Sequence, residues 1–221
     1  KLAGQYKVKF IGRSRKQKLM VSNDYVTEQF ELDGNLLQYQ QVEGSFTQPN
    51  GEVNRKMLSW AKAISQQLSG DLLELYCGNG NFSIALAPCF DQVIATEISR
   101  TSIKSAQYNI TLNNVTNLQV LQMPAEDVSA ALQHGSKLKQ LDLTEMQLGT
   151  VLVDPPRAGL DDGTVQLVSR FNDILYISCN PETLAQNLQV LIQSHDIVKL
   201  AVFDQFPYTH HIETGVWLRK R

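Results

Sequence analysis

The sequence predicts an α/β fold built around a parallel β-sheet, because apolar runs alternate with helical patterns along most of the chain. Between two of these runs, Ile103, Ala106 and Ile110 recur at helical spacing. Continuous apolar strands that alternate with helices are typical of a parallel sheet covered by helices on both faces. The predicted strands are 71–77, 92–97, 118–123, 150–154, 174–179, 198–204 and 214–219.

A short β-rich segment precedes the alternating region. Residues 6–12 and part of 35–43 alternate apolar and polar side chains, so short strands around turns are expected there. A helical pattern then begins after Asn50 and can end at Gly70. We therefore divide the chain into residues 1–45, the end of a preceding β-rich region, and residues 46–221, the main domain. The apolar positions of the helix are Val53, Met57, Trp60, Ile64 and Leu68.

The composition excludes several classes of protein. No apolar run approaches the roughly 20 residues of a membrane-spanning helix, and no signal-peptide pattern opens the chain. The first residue is Lys rather than Met, so we expect a C-terminal fragment of a longer protein. Cys77, Cys89 and Cys179 lack the spacing of metal ligands, which favours reduced thiols, a cytoplasmic location and no bound metal.

Positive charge is concentrated at the N terminus. Residues 1–20 carry seven basic side chains and no acidic one, which leaves 20 − 7 = 13 basic and 22 acidic residues, a net charge of −9, for the rest of the chain. A basic segment can attract a polyanion such as RNA. The alternative is a solvated edge strand protected by lysines, and charge alone leaves both interpretations open.

A glycine-rich loop follows the first strand of the sheet, in the sequence LYCGNGNFS (75–83). Gly78 and Gly80 permit a tight turn and a close approach of the backbone to a ligand. A dinucleotide site would favour a third glycine where this chain has Ser83, whereas Glu97 ends the second strand where an acidic side chain can bind ribose hydroxyls. The pattern fits S-adenosylmethionine better than NAD, and a purely structural turn is the alternative.

Two further strand ends carry chemically active side chains. Asp154 precedes two prolines in the sequence VDPPRAGL, and this stiff loop fixes Asp154 and Arg157. Either residue could instead be structural, as a turn cap or a surface charge. Cys179 precedes Asn180, a favoured N-cap, and Pro181, favoured at the first helical position.

The position of Cys179 favours a nucleophile over a small buried filler. Unpaired amides at a helix N terminus favour a thiolate. Ligands of open α/β sheets bind beyond the carboxyl ends of the strands, where Gly78, Asp154 and Cys179 all stand. If the strands that they follow are neighbours, adjacent sites lie on the order of 5 Å apart.

Five motifs in order resemble the RNA uracil-5 methyltransferases, and in particular the bacterial tRNA enzymes of that family. They are SFTQPN (45–50), LELYCGNGNFS (73–83), VDPPRAGL (153–160), ISCNPETL (177–184) and FDQFPYTHHIETG (203–215). The resemblance extends through nearly the whole chain. It implies a class I S-adenosylmethionine-dependent methyltransferase fold, with a mainly parallel seven-stranded sheet whose last strand is antiparallel.

The resemblance also implies roles for individual residues. Cys179 matches the nucleophile, Glu213 the general base and Arg157 the arginine beside the target base. Phe46 matches an aromatic position, with an ordinary core phenylalanine as the alternative. His210 and His211 suggest a metal, but neighbours on an extended chain face opposite sides. The positions that match cofactor contacts are Gln48, Tyr76, Gly78, Asn81, Glu97 and Asp154.

The function implied by the resemblance is S-adenosylmethionine-dependent methylation of uracil C5 in the T-loop of tRNA, which forms ribothymidine through a covalent adduct of Cys179 at C6. The expected partner is the T-arm of tRNA, with no membrane, no metal and a monomeric state. One alternative is uracil-5 methylation of 23S ribosomal RNA. Another is a non-catalytic S-adenosylmethionine-binding RNA module, which would not need Cys179, Glu213 and Asp154 together.

Overall fold

The computed structural model describes residues 2–6, 8–125, 127–128 and 146–221. None of the described helices is long and apolar enough to span a membrane. In chain order the elements are α1 (Leu2–Tyr6), β1 (Phe10–Ser14), β2 (Gln17–Val21), β3 (Tyr25–Leu32), β4 (Asn35–Val42), α2 (Gly51–Ser65), β5 (Asp71–Leu75), α3 (Asn81–Leu86), β6 (Val93–Glu97), α4 (Arg100–Leu112), β7 (Leu118–Gln122), β8 (Leu148–Val153), α5 (Asp162–Val168), β9 (Asp173–Ser178), α6 (Pro181–Leu191), β10 (His195–Phe203) and β11 (Glu213–Lys220).

Seven strands form the central sheet in the order β10-β11-β9-β8-β5-β6-β7. The pairs β5/β6, β5/β8, β6/β7 and β8/β9 are parallel. In contrast, β11 runs antiparallel to both β9 and β10. The predicted fold class, a mainly parallel seven-stranded α/β sheet with an antiparallel last strand, is confirmed.

The strand ends differ from the prediction in ways that matter for the site. The first strand of the sheet ends at Leu75, so Tyr76 and Cys77 belong to the following loop. The last helix-to-strand transition lies earlier than predicted, because β10 begins at His195, which pairs with Lys220. The strand predicted over residues 6–12 is wrong in its first half, since Leu2–Tyr6 is helical and β1 begins only at Phe10.

The sheet is covered on both faces because alternate residues of its central strands point to opposite sides. On β5, Leu73 and Leu75 join one hydrophobic core, whereas Leu72 joins the other. On β8 the alternation repeats, with Val151 in the first core and Leu152 in the second. All five residues of β5 are buried, including the charged residues Asp71 and Glu74, as expected for a central strand covered on both faces.

The chain reverses its direction of travel across the sheet at β5. From β5 it proceeds to β6 and β7 on one side, and it then returns to β8 and β9 on the other. The carboxyl ends of β5, β8 and β9 are therefore adjacent, and a crevice opens beyond them. We predicted that Gly78, Asp154 and Cys179 lie close together if the strands that they follow are neighbours. The strands β5, β8 and β9 are indeed neighbours in the sheet.

The hairpin of β3 and β4 packs on the helices α2 and α4. Leu32 and Tyr39 are buried in the second core, and the Tyr39 hydroxyl donates to the carbonyl of Asn81 at 3.0 Å. Asn109 of α4 and Asn113, the C-cap of that helix, pair with the edge of β4. Asn109 Oδ1 accepts from Gln40 N–H at 2.7 Å, and Asn113 pairs with both backbone groups of Gln38. The hairpin edge is thus satisfied by side-chain amides of a helix rather than by another strand.

Candidate active site

A cavity of about 810 Å³ lies at the carboxyl ends of β5, β8 and β9. This volume is within the range of small-molecule and cofactor sites, roughly 300–1,000 Å³. The structure brings together every residue predicted for the site. The predicted residues that line the cavity are Gln48, Tyr76, Gly78, Asn81, Glu97, Asp154, Arg157, Cys179 and Glu213.

The glycine loop between β5 and α3 adopts the tight conformation that its sequence predicts. Gly78 has φ 56° and Gly80 has φ 85°, both in the left-handed region. A Cβ atom on Gly78 would have nothing within 4 Å, whereas one on Gly80 would lie 3.1 Å from Ile84 Cδ1. Gly78 therefore leaves its backbone open to a ligand, while Gly80 allows the loop to pack on α3.

Tyr76, the first residue after β5, also has a positive φ of 63°. This conformation is uncommon for a bulky residue, and strained backbone of this kind is concentrated at functional sites. The strain is consistent with a loop whose shape is fixed by the cavity that it lines.

Glu97 holds the glycine loop and the start of α4 in place. Its Oε2 accepts from Gly78 N–H at 3.0 Å, and its Oε1 accepts from Ile98 N–H and Ser99 N–H at 2.8 and 2.7 Å. A carboxylate has about four acceptor positions, so one remains for a ligand hydroxyl. Glu97 can therefore hold the glycine loop in place and bind a ligand at the same time.

The side-chain amide of Asn81 is paired with a residue that the sequence analysis missed. Asn81 and Asn54 exchange two hydrogen bonds, of 3.0 and 2.9 Å, and Asn54 on α2 is 1% exposed. An asparagine between the apolar positions Val53 and Met57 of the predicted helix is the signal that could have revealed it.

The loop that follows β8 is fastened to α6. The carbonyl of Arg157 accepts from Asn180 Nδ2 at 3.0 Å and from Thr183 Oγ1 at 3.2 Å. Asn187 pairs with both backbone groups of Leu160 and also accepts from the Tyr176 hydroxyl. The loop that contains Arg157 is thus hydrogen-bonded to α6 and its N-cap Asn180, which follows Cys179.

The pairing of β9 with β11 places Cys179 beside Glu213. Ser178 lies opposite Thr214 in this antiparallel ladder, so continuing the register by one residue brings Cys179 opposite Glu213. Opposed residues in antiparallel pairs have Cα atoms about 4.5–5.5 Å apart. Both side chains line the cavity, so a thiol and a carboxyl group face the same ligand volume.

Burial dominates the electrostatics of the carboxyl groups. Glu213 is 3% exposed and its Oε2 is buried with no hydrogen-bond partner among the described residues. Burial raises the pKa of Glu213 to about 7. Burial, and after it the charge of Glu213, raises the pKa of Asp154 to about 8. A carboxyl group that titrates near neutral pH suits a general base.

The expectation of a thiol ionised by a helix N terminus is wrong for this structure. Burial, followed by the charges of Glu213 and Asp154, raises the pKa of the Cys179 thiol above its ordinary value. A backbone hydrogen bond and the Arg157 guanidinium act in the opposite direction. Burial and the two carboxyl groups outweigh the backbone hydrogen bond and Arg157, which lower the pKa of the thiol.

The alternatives left open by the sequence can now be compared with the geometry. Phe46 is 70% exposed and lines the cavity, so it is not a core phenylalanine. Asp154 makes no side-chain hydrogen bond that the structure describes, so it does not cap a turn. His211 lines the cavity and packs edge-on against Phe206, with ring centroids 5.9 Å apart, whereas His210 is exposed.

Two more buried polar residues at the site were missed. Glu74 is 1% exposed, lines the cavity and is hydrogen-bonded to Ser83, and burial is the main cause that raises its pKa to about 8. A glutamate inside the apolar run DLLELYC was its signal. Gln205 is 1% exposed and pairs with Gln48. Within the described ranges, no group of three or more His, Cys, Asp and Glu side chains could hold a metal ion.

Comparisons with known proteins agree with this architecture. A family model described as tRNA (Uracil-5-)-methyltransferase matches residues 1–221. A tRNA/tmRNA (uracil-C(5))-methyltransferase of Pseudoalteromonas translucida (strain TAC 125) is 55% identical over 224 residues, which cover 100% of this chain and 61% of the relative. One of Shewanella amazonensis (strain ATCC BAA-1098 / SB2B) is 54% identical, with the same coverage of 100% and 61%. The chain therefore spans about 61% of the length of these curated relatives.

Solved structures are similar over most of the chain. A Pyrococcus abyssi tRNA (uracil-54, C5)-methyltransferase in complex with S-adenosyl-L-homocysteine has a TM-score of 0.71 and 26% identity, covering 95% of this chain and 50% of that one. A T. thermophilus 16S rRNA methyltransferase, with a TM-score of 0.61 and 15% identity over 97% of this chain and 58% of its own, shares the fold alone. The match of the family model to the whole sequence shows that this chain belongs to the tRNA (uracil-5-)-methyltransferase family.

Proposed function

We propose that this chain transfers a methyl group from S-adenosylmethionine to C5 of a uracil in the T-loop of tRNA, through a covalent adduct between Cys179 and C6. The observation that carries the proposal is the opposition of Cys179 and Glu213 across β9 and β11, in a cavity that also contains the glycine loop. Membership of the family supports the same reaction.

The residues that line the cavity have the chemical groups needed to bind S-adenosylmethionine. The open side of Gly78 allows close approach to the backbone, Glu97 keeps one acceptor position for a ribose hydroxyl, and Gln48 offers a side-chain amide. Tyr76, Asn81 and Asp154 line the same volume. When bound, this cofactor supplies an electrophilic methyl group on a positively charged sulfur.

Cys179 makes C5 of the uracil reactive. The C5 carbon is too weak a nucleophile to attack a sulfonium methyl group unaided. Addition of the Cys179 thiolate to C6 forms an Sγ–C6 bond, and the electron pair of the C5=C6 bond moves onto C5 and its conjugated carbonyl. C5 then takes the methyl group. Such covalent catalysis divides one difficult step into easier ones.

Glu213 and Arg157 complete the cycle. The Glu213 carboxylate removes the C5 proton, the C5=C6 bond re-forms and the thiolate leaves C6, which restores Cys179. The pKa of about 7 allows Glu213 to accept this proton near neutral pH. Arg157, on its fastened loop, stabilises negative charge on the uracil carbonyl. A positively charged ligand such as S-adenosylmethionine, bound beside Glu213 and Asp154, would also offset the negative charges that raise the pKa of the Cys179 thiol.

The RNA approaches from the side of Phe46 and the N-terminal hairpins. Phe46 is exposed at the cavity, where an aromatic ring can stack on a base that has left its loop. We assign residues 1–45 to the end of an RNA-binding region that carries the basic segment, and residues 46–221 to the catalytic domain. The substrate is the T-arm, the chain acts as a monomer in the cytoplasm, and no metal takes part.

The test is methylation of defined RNAs by this chain with isotopically labelled S-adenosylmethionine. Unmodified tRNA and 23S ribosomal RNA serve as competing substrates, and tRNA with cytidine in place of uridine 54, the position named for the Pyrococcus enzyme, is the matched control. We expect labelled 5-methyluridine in tRNA alone. Labelling of ribosomal RNA, or equal labelling of the control tRNA, contradicts the proposed substrate.

A further inference from the structure

A buried glutamine outside the cavity is bonded to one that lines it. Gln205, in the loop between β10 and β11, is 1% exposed, and its Nε2 donates to Gln48 Oε1 at 2.7 Å. Gln48 lines the cavity and Gln205 does not. The contact joins chain segments 157 residues apart, so Gln205 supports Gln48 from behind.

This hydrogen bond determines which end of the Gln48 amide the ligand meets. An amide carries one acceptor oxygen and one NH2 donor group on the same planar carbon. Because Gln205 takes the oxygen, the NH2 group of Gln48 is turned away from Gln205. Without the bond, the amide could rotate about its last torsion, which has a broad and roughly two-fold profile.

We propose that Gln205 is a positioning residue that fixes the Gln48 amide so that its NH2 group donates to an acceptor atom of the bound cofactor. The inference rests on the proposed function, which assigns Gln48 to the cofactor. Gln205 does not touch the ligand and acts only through Gln48.

The burial of Gln205 supports a role beyond packing. Its Oε1 is buried without a hydrogen-bond partner among the described residues. A buried polar group with an unpaired atom stabilises a fold less than an apolar side chain of the same size would. The side chain is therefore poorly suited to fill a core, and the one side-chain hydrogen bond that it makes to a described residue is the one that orients Gln48.

The position of Gln205 also connects two walls of the cavity. The next residue, Phe206, and then His211 line the cavity from the same connection, and Glu213 lines it from the start of β11. The bond to Gln48 fastens the start of this loop to the segment that carries Phe46. Gln205 thus links Gln48, the proposed cofactor contact, to the loop that leads to Glu213, the proposed base.

A double-mutant cycle tests the inference, since it separates an effect through Gln48 from a general loss of structure. The dissociation constant of S-adenosylhomocysteine is measured by calorimetry for wild type, Gln48→Ala, Gln205→Leu and the double variant. We expect Gln48→Ala and Gln205→Leu each to weaken binding about tenfold, the scale of one hydrogen bond, and the double variant to match Gln48→Ala. Gln189→Leu on the exposed face of α6 is the control and should leave the affinity unchanged.

A variant that reverses the polarity of the contact sharpens the test. In Gln205→Glu, assayed at a pH high enough to ionise the buried carboxyl group, the side chain can only accept, so the Gln48 amide must turn its NH2 group toward residue 205 and its oxygen toward the cavity. We expect this variant to bind S-adenosylhomocysteine at least as weakly as Gln205→Leu. It also answers the question if Gln205→Leu does not fold, as judged by thermal unfolding.

The outcomes distinguish the inference from the function on which it rests. Unchanged affinity in a folded Gln205 variant, with Gln48→Ala weakened, overturns the inference and leaves the proposed function intact. Multiplied losses in the double variant overturn it too, because they indicate independent effects. Unchanged affinity in Gln48→Ala overturns the assignment of Gln48 itself.

Discussion

At the residue scale, the site is dominated by three carboxyl groups that are largely removed from water. Burial is the main cause that raises the pKa of Glu74 and Asp154 to about 8 and that of Glu213 to about 7. Near neutral pH these groups can be protonated in the free protein. A cationic ligand would favour their ionised forms, so the pocket is suited to a positively charged cofactor.

The raised pKa of Glu213 predicts a pH-dependent effect on stability. An unfolded glutamate has a pKa of 4.5 and folded Glu213 one of about 7, so between these values the folded state holds a proton that the unfolded state has released. The contribution is fully present below pH 4.5 and is lost as the pH rises through about 7. Glu213→Gln, which never ionises, should therefore be more stable than wild type by about 1–3 kcal/mol at high pH and nearly equal to it in acid.

Denaturant unfolding near pH 4.5 and well above pH 7, the two values that bound the Glu213 window, measures this difference. Gln186→Ala on the exposed side of α6, which changes no ionisable group, is the control and should show the same difference from wild type at both pH values. A stability difference that is the same at both pH values would show that burial does not shift the titration of Glu213.

Glu97 is expected to contribute both to the loop and to cofactor binding. Glu97→Ala should weaken S-adenosylmethionine binding by roughly 1.5–3 kcal/mol, the scale of hydrogen bonds to a charged group. Glu97→Gln keeps an acceptor oxygen but loses the charge, so its loss should be smaller. Calorimetry on folded variants measures both, and an unchanged affinity in Glu97→Ala contradicts the ribose assignment.

At the element scale, the site depends on where strands end and on what fastens the loops that follow. The sequence predicted the loops after β5, β8 and β9 correctly, because Gly78, the Asp154-Pro-Pro run and Asn180-Pro181 are local signals with local causes. It did not predict that Asn187 ties the Arg157 loop to α6, because a pairing across 27 residues depends on how the elements pack.

Asn187 provides a test of this fastening. Asn187→Ala removes the partner of both backbone groups of Leu160 and of the Tyr176 hydroxyl, and it should destabilise the chain by about 1–3 kcal/mol. Because the loop carries Arg157, we expect methylation of tRNA to fall more than cofactor affinity does. Gln186→Ala, one residue away on the exposed side of α6, is the control for both measurements. Equal losses in affinity and methylation would contradict a selective effect on Arg157.

At the scale of the whole molecule, some basic side chains of the N-terminal segment form ion pairs and others do not. Arg13 and Lys18 of the basic segment form ion pairs with Glu43, and Lys18 also pairs with Asp24. Arg15 and Lys16, at the turn between β1 and β2, form no ion pair with any described residue. The sequence revealed the basic segment but not which cations are neutralised, since Glu43 is distant in the chain and is brought near by folding.

Arg15 and Lys16, which no described carboxylate neutralises, should therefore contribute more to RNA binding than Arg13 does. We expect Arg15→Ala with Lys16→Ala to weaken tRNA binding and to reduce the slope of log affinity against log salt by roughly 0.7–0.9 for each phosphate that is no longer neutralised. Arg13→Ala changes the net charge but removes a cation already paired with Glu43, so its effect should be smaller. Filter binding over a salt series measures the slopes, and a larger effect of Arg13→Ala would contradict this assignment.

The central claim, that Cys179 is the nucleophile that attacks uracil C6, is tested most directly with tRNA that contains 5-fluorouracil. Fluorine replaces the C5 proton that Glu213 would remove, so the thiolate cannot be expelled and the adduct should persist. After incubation with S-adenosylmethionine, mass spectrometry of the digested chain should show the modified nucleotide on the peptide that contains Cys179. Cys89→Ser should retain the adduct and Cys179→Ser should form none while still binding the cofactor. An adduct on another residue, or equal capture by Cys179→Ser, would contradict the account.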